Sequence, residues 1–349
     1  MNGDTRELPA AEPPAGAAPV APAPARVRPA PAGGGRTPVA SVTAPAPRGR
    51  PGTQATAVAV GLLAAVAFWL TYRVFVTTVP GQRLDELAFF GAAYGQGRLW
   101  QVAEPVLDVV SVAFVVGGIG AAMVVALVRR RWVLALQVAV LVGGANLTTQ
   151  VLKHQLLTRP DLLPGWNGEN TLPSGHTTVA ASVSVAILLA TPRAWRPVVT
   201  VLGAAYTGAT GVSTLVGQWH RPSDVVAALF VVLAWGALVC AVTPAGSLDV
   251  APRRRRLPAG LPRPNAFASP GSSVLVGLLL LGAAITGGIA LAAGVRLVGA
   301  GTVPIAEDVT AYAAGVLGVL AATAATFALL LLVRQATARP ADVAAGPAT

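Results

Sequence analysis

The sequence predicts an all-α, polytopic membrane helix bundle. Three observations carry this. Of its 349 residues, 54% are hydrophobic and only 11% charged, against about 25% charged in an ordinary soluble domain. The apolar residues also gather into runs of about 18 or more with almost no charge, the signature of membrane-crossing helices rather than of a water-facing core. Finally, the basic residues cluster between those runs, at Arg129 to Arg131, at Arg193 and Arg196, and at Arg253 to Arg256.

Taken in order, residues 1–52 are rich in Pro, Ala and Gly and carry too little large apolar surface to offset their ordering entropy, so a disordered tail is expected. No apolar stretch follows a short basic start there, as a signal peptide requires. Eight apolar spans follow, near 56–78, 107–128, 132–152, 177–191, 198–217, 223–243, 272–294 and 309–333. The fourth is short and is expected to extend into its flanks. With the tail in the cytoplasm, every arginine cluster falls inside, Arg334 and Arg339 included. The outer segments then hold acids such as Asp85, Glu86, Glu104, Asp161, Glu169 and Glu307. The positive-inside rule therefore places both termini in the cytoplasm of a multi-pass plasma-membrane protein.

The formal net charge of +11 lacks the aromatic interleaving and the recognition fold of a nucleic-acid binder, so no nucleic-acid partner is expected. Cys240, the single cysteine, excludes an internal disulfide and reads as a buried structural thiol. No inverted repeat of the transporter kind is visible.

The outer segments 153–176 and 217–223 contain all three histidines and the only lysine. Three short stretches stand out there: Lys153-His-Gln-Leu-Leu-Thr-Arg159-Pro160, Pro173-Ser174-Gly175-His176, and Gly217-Gln-Trp-His220-Arg221-Pro222-Ser223-Asp224. Together they supply what a phosphoryl-transfer site needs, because that transition state spreads negative charge over three equatorial oxygens. Lys153 and Arg159 are cationic donors, and Arg binds two oxygens at once. Ser174 and Gly175 form a turn into a helix N-terminus, where free N–H groups and a hydroxyl cradle an anion. Pro222 suits the first turn of the following helix. If that helix reaches back to His220, Asp224 four residues on fixes the imidazole tautomer and frees the other nitrogen as nucleophile. His176 then protonates the leaving alkoxide. Asn146, Gln150 and Lys153 share one face of the third span, and Tyr206, Thr210, Ser213 and Gly217 form a polar or small stripe on the fifth. His154 and Trp219 read as a rim residue and an interfacial aromatic. Singly, each stretch has an ordinary structural explanation; their meeting on one membrane face points to chemistry.

These residues resemble the type 2 phosphatidic acid phosphatase superfamily, the lipid phosphate phosphatases that share a site with vanadium haloperoxidases. The family pattern runs K-x6-R-P, P-S-G-H and S-R-x5-H-x3-D; the second part and the H-x3-D are matched without change. The resemblance spans roughly residues 53–245 and implies a six-helix phosphatase core. A basic cytoplasmic linker (246–271), a C-terminal two-helix transmembrane hairpin (272–334) and a cytoplasmic tail (335–349) complete the chain. It implies Lys153, Arg159, Ser174 and Gly175 as phosphate ligands, His176 as acid, His220 as the nucleophile forming a phosphohistidine, and Asp224 as its orienting group. No metal and no cofactor is implied.

Two departures stand out. Five residues, not six, separate Lys153 from Arg159, which calls for a tighter turn or a shifted register. The third motif reads Ser213-Thr214 where the family has Ser-Arg, and Arg221 is the candidate to supply the missing charge. The expected function is hydrolysis of a lipid phosphomonoester or diphosphate at the outer face. A lipid phosphotransferase using the same histidine and a catalytically impaired membrane scaffold remain the alternatives.

Overall fold

The computed structural model describes residues 49–94, 96–109, 132–163, 169–243, 247–249, 269–299 and 306–340, with isolated positions between 117 and 124. The expected N-terminal tail, most of the second span (107–128), the Arg129–Arg131 and Arg253–Arg256 clusters and most of the linker lie outside them. The described chain is built of helices. They are α1 (Pro51–Thr71), α2 (Val79–Gly91), α3 (Gln96–Val109), α4 (Trp132–Val151), α5 (Gly175–Ala190), α6 (Arg196–Val216), α7 (Pro222–Ala241), α8 (Pro270–Gly299) and α9 (Ala306–Thr337).

Among the described residues six helices are long and apolar enough to cross a membrane, counting α1 and α4 with their terminal π turns, and α5 is a shorter apolar one. Their outward faces carry large side chains such as Leu62, Leu63, Leu136, Leu147, Leu202, Leu278 and Leu281, all exposed. In water such a surface drives aggregation; it is the surface a helix shows to lipid. The chain is a multi-pass helix bundle of membrane type.

Lipid tails are as apolar as leucine, so helix contacts here rest on close packing, which small residues permit. At Gly203, Gly211 and Gly236 an added Cβ would fall 2.9 Å from Phe327, 2.7 Å from Val225 and 2.6 Å from Leu330. Two of these partners belong to α9, which packs against α2, α6 and α7 as well as α8. The last helix is thus a central member of the bundle, and α8 lies outside it, largely unburied. At the end of the bundle remote from the histidines, buried Arg196 donates two bonds to Asp249, at 2.6 and 2.9 Å. Nearby, Arg334 donates to the carbonyls of Leu189 and Ser247. These two arginines are therefore built into the protein interior rather than free in an interfacial cluster. Cys240 is buried, 1% exposed.

The stretch 79–106, read as an outer connection holding acids, instead forms α2 and α3. Thr78 caps α2 by accepting from Gly81 N at 3.2 Å, with Pro80 in the first turn. Gly81 is required there: a Cβ would lie on the Val74 carbonyl. A long apolar run is absent from α2, so its signals in sequence are the cap and the short stripe of Leu84, Leu87 and Ala88, which docks against the last two helices.

Candidate active site

The site is assembled from the middle of α2, the C-terminal ends of α4 and α6, and the starts of α5 and α7. At the end of α4 the helix widens into a π turn over Leu152–Leu156, closed by Leu157 N donating to Leu152 O at 2.9 Å. Lys153 lies within this wider turn, and the five residues to Arg159 run through it into the following extended segment. The following segment is pinned from three sides. Tyr72 OH donates to Thr158 O at 2.9 Å, Gln82 Nε2 to Pro160 O at 2.7 Å, and Asn170 Nδ2 to the carbonyls of Lys153, Leu157 and Leu172.

At the start of α5, Ser174 is the N-cap and its Oγ accepts from Thr177 N at 3.4 Å, which leaves the neighbouring first-turn N–H groups pointing outward. Gln150 of α4 lies beside Gly175, its Nε2 4.0 Å from where a Cβ would stand. His176 is exposed, and Lys153 is within electrostatic reach of it.

The end of α6 carries the departure at Thr214, and its backbone explains how the nucleophile candidate is held. Gln218 N donates to Leu215 O at 2.9 Å and Trp219 N to Thr214 O at 3.0 Å, the paired bonds of a Schellman turn. Gln218 takes the left-handed position with φ 54°, where glycine is usual, at a cost of roughly 1 kcal/mol. Its side chain offsets this by donating to Phe89 O at 2.9 Å, tying α6 to α2. His220 N also reaches Thr214 O, at 3.3 Å. Thr214 therefore helps set His220 through its carbonyl, while its own hydroxyl is turned back to Gly211 O at 2.7 Å.

His220 lies outside α7, which begins at Pro222 with Arg221 as N-cap. The expectation that the helix reaches back to His220 is corrected; the pair forms across the cap. Asp224 is the third helical residue, and its Oδ2 turns back to accept from Arg221 N at 3.0 Å, the carboxylate half of a capping box. The same oxygen meets His220 Nδ1 at 3.2 Å and accepts from Thr171 Oγ1 at 2.6 Å. Ser174 N donates to Asp224 O at 2.9 Å, so the starts of α5 and α7 are joined at this residue. The result sets the His176 and His220 ring centroids 6.2 Å apart, with planes at 68°. Trp219 stacks obliquely on His176 at 5.3 Å and edge-on to Trp100 at 5.9 Å. Gly217 allows that approach, since a Cβ there would meet the Trp100 ring at 2.8 Å.

Two acids that sequence reasoning left in an outer segment enter the site. Glu86 Oε1 accepts from Arg221 Nε at 2.5 Å and from Arg159 Nη2 at 3.2 Å. Asp85 lies 3.9 Å from Arg159 and holds both the hydroxyl and the N–H of Ser223. Burial, with the Asp224 charge adding to it, pushes the Asp85 carboxyl up to about 7. Burial and the nearby Arg221 charge lower Arg159 from its ordinary value. Arg221 Nη1 donates further to Thr171 Oγ1 at 3.1 Å. Of the residues singled out in sequence, Arg159, Ser174, Gly175, His176, His220, Arg221 and Asp224 are linked through this network, with Lys153 at its margin. His154 is exposed. Asp85, Glu86 and Thr171 carry no local motif; only the helical docking of α2 and the folding of the 157–174 segment bring them in.

A membrane helix bundle with two histidines, paired arginines and two helix N-termini at one end defines a phosphatase-like membrane protein. Residues 133–246 match the family model described as the PAP2 superfamily, the superfamily that the motifs of this segment resemble. No curated protein and no solved structure matches the chain.

Proposed function

We propose that the protein is a lipid phosphate phosphatase working through a phosphohistidine at His220. The observation that carries this reading is the 3.2 Å contact between His220 Nδ1 and Asp224, with His176 facing the same space. Asp224 accepts a hydrogen bond from Nδ1–H, which holds the proton on that nitrogen and leaves the Nε2 lone pair free. Nε2 attacks phosphorus, the P–O bond to the lipid breaks, and His176 gives its proton to the departing alkoxide. A water molecule then attacks the phosphohistidine with His176 as base, releasing inorganic phosphate and restoring His220. Lys153, Arg159, Arg221 and the N–H groups at Ser174 and Gly175 hold the phosphoryl oxygens. Arg221 serves in place of the arginine that the family carries at position 214. The scheme routes no step through a metal or cofactor.

The substrate is a lipid phosphomonoester or diphosphate in the bilayer, presented at the extracytoplasmic face of the plasma membrane, with both termini in the cytoplasm. Nucleic acid has no place in this reading. The apolar helices support a membrane-borne substrate, and the arginine distribution supports the sidedness. The test is phosphate release from lipid phosphates by purified protein. His220→Ala should abolish it, and a labelled phosphoenzyme should form in wild type alone. Undiminished turnover in that variant would overturn the assignment. A phosphotransferase would instead move the phosphoryl group to an added alcohol acceptor, which product analysis distinguishes.

A further inference from the structure

A cavity of about 520 Å³ lies between the end of α1, α2, the start of α7, and α8 and α9. Its wall on α8 and α9 is made of small and branched apolar residues, among them Ala290, Gly294, Val295, Ala314 and Gly318. An added Cβ at Gly318 would approach Ala290 no closer than 3.9 Å. Gly315 and Gly294 of the same wall pack against neighbours, an added Cβ falling 2.5 Å from Pro222 and 3.2 Å from Leu84, and the wall is open at Gly318.

The few polar atoms of the wall have partners already. Thr71 and Thr78 donate to the carbonyls of Ala67 and Val74, at 2.8 and 2.6 Å, and Ser223 donates to Asp85. A polar ligand would find few groups to replace its hydration, whereas an apolar chain loses nothing by entering. The volume is in the range of small-ligand sites, about 300–1,000 Å³. A helix about 10–12 Å across would fit only about one turn into it, so a partner helix is a poor occupant. Leu291, Val295 and Val298 of the rim are largely exposed, which opens the cavity sideways.

Its inner end is Asp85 and Ser223. Asp85 is 3.9 Å from Arg159, and Ser223 is three residues from His220. The cavity therefore abuts the back of the phosphate-binding arginines.

We propose that this cavity binds the hydrocarbon chain of the lipid substrate, making the C-terminal helices α8 and α9 its chain-binding element. The inference rests on the phosphatase reading for the identity of the head group. A chain lodged there places the phosphoryl group toward Arg159 and Arg221, and it gives the helices beyond the family-matched segment a role in selecting long-chain substrates.

The test uses the full chain in nanodiscs with two substrates, a long-chain lipid phosphate and a water-soluble phosphomonoester. Ala290→Phe should lower kcat/KM for the lipid by about tenfold or more and leave the soluble ester unchanged. Leu281→Phe, on the exposed face of the same helix, should change neither. A lipid phosphate with a photoreactive group at its chain end should label wild-type residues 290–298 and 311–318, and Ala290→Phe should lose that labelling. Unchanged lipid turnover in Ala290→Phe, or labelling confined to outward residues around Leu281, overturns the proposal. If Ala290→Phe loses both activities through misfolding, the wild-type labelling pattern decides. Absence of wild-type turnover on both substrates would sink the phosphatase reading instead, and the labelling would still report on the cavity.

Discussion

Glu86 and Arg221 are 135 residues apart and joined by a 2.5 Å bond from Nε to Oε1, and the same carboxylate oxygen holds Arg159 at 3.2 Å. All three side chains are at most 7% exposed. Glu86 is thus shared by the two arginines assigned to phosphate, with Asp85 a further 3.9 Å from Arg159, and it holds two like charges side by side. On the proposed phosphatase reading, phosphate would exchange one set of acceptors for another rather than fill an unneutralised cationic site.

Removing Glu86 should expose that balance. Glu86→Ala leaves two buried cations without their shared acceptor, a change that costs about 3–5 kcal/mol when a buried pair is broken. Orthovanadate, as a phosphate mimic, should restore part of the loss. The expected result is a lowered Tm in detergent, with a vanadate-induced rise larger than in wild type. Equal vanadate shifts in the two proteins would show that Glu86 does not share the anion's arginines.

Asp224 joins three roles in one carboxylate oxygen: the cap of α7, the orientation of His220 and a bond from Thr171. Asp224→Asn keeps the shape but loses the acceptor that fixes the Nδ1 proton. A fall in kcat of about 10²–10⁴-fold is expected, by analogy with carboxylate-to-amide changes in triads, with KM moved far less. Steady-state kinetics on one lipid phosphate checks this. A change confined to KM would mean that Asp224 acts on binding alone.

Asp85 makes stability depend on pH. Burial raises its carboxyl from the ordinary 3.8 of the unfolded chain to about 7, so the folded protein binds the extra proton between these values. The stability tied to that proton is fully present below about pH 4 and is lost as pH rises through about 7. Unfolding midpoints measured across this window should fall with rising pH more steeply in wild type than in Asp85→Asn. Parallel profiles would refute the assignment to Asp85.

Packing between α7 and α9 depends on the absence of a side chain at Gly236. Gly236→Val puts a Cβ 2.6 Å from Leu330 Cδ2, and overpacking of a close-packed interior costs about 1–3 kcal/mol. A lowered Tm should follow, partly recovered by Leu330→Ala in the double variant. No recovery would place the strain elsewhere.

Much of the fold was legible because lipid imposes one rule on every span. Backbone polar groups must be satisfied within the segment, so a long uncharged run reads as a helix with little competition. The Ser174 cap and Pro222 at the start of α7 were legible for a similar reason, since first-turn N–H groups demand particular residues. The helix α2 was not legible. It is short and carries Gln82, Asp85 and Glu86 on its buried side, and its apolar stripe is limited to Leu84, Leu87 and Ala88. Its burial is satisfied by Arg159, Arg221, Ser223 and backbone carbonyls from distant segments, and local sequence carries no trace of those partners. The π turn after Leu152 was equally hidden, because a one-residue difference in spacing permits more than one backbone solution.

By itself, the sequence determined the class of protein, the helix ends and the residue types that gather at one end of the bundle. These follow from nearest-neighbour physics: hydropathy, capping and charge distribution along the chain. Only the tertiary structure decided how the charges are neutralised, how His220 meets Asp224 across a helix cap instead of along a helix, and where α9 lies. Those features depend on contacts between residues far apart in sequence, whose energies exist only once the helices have packed.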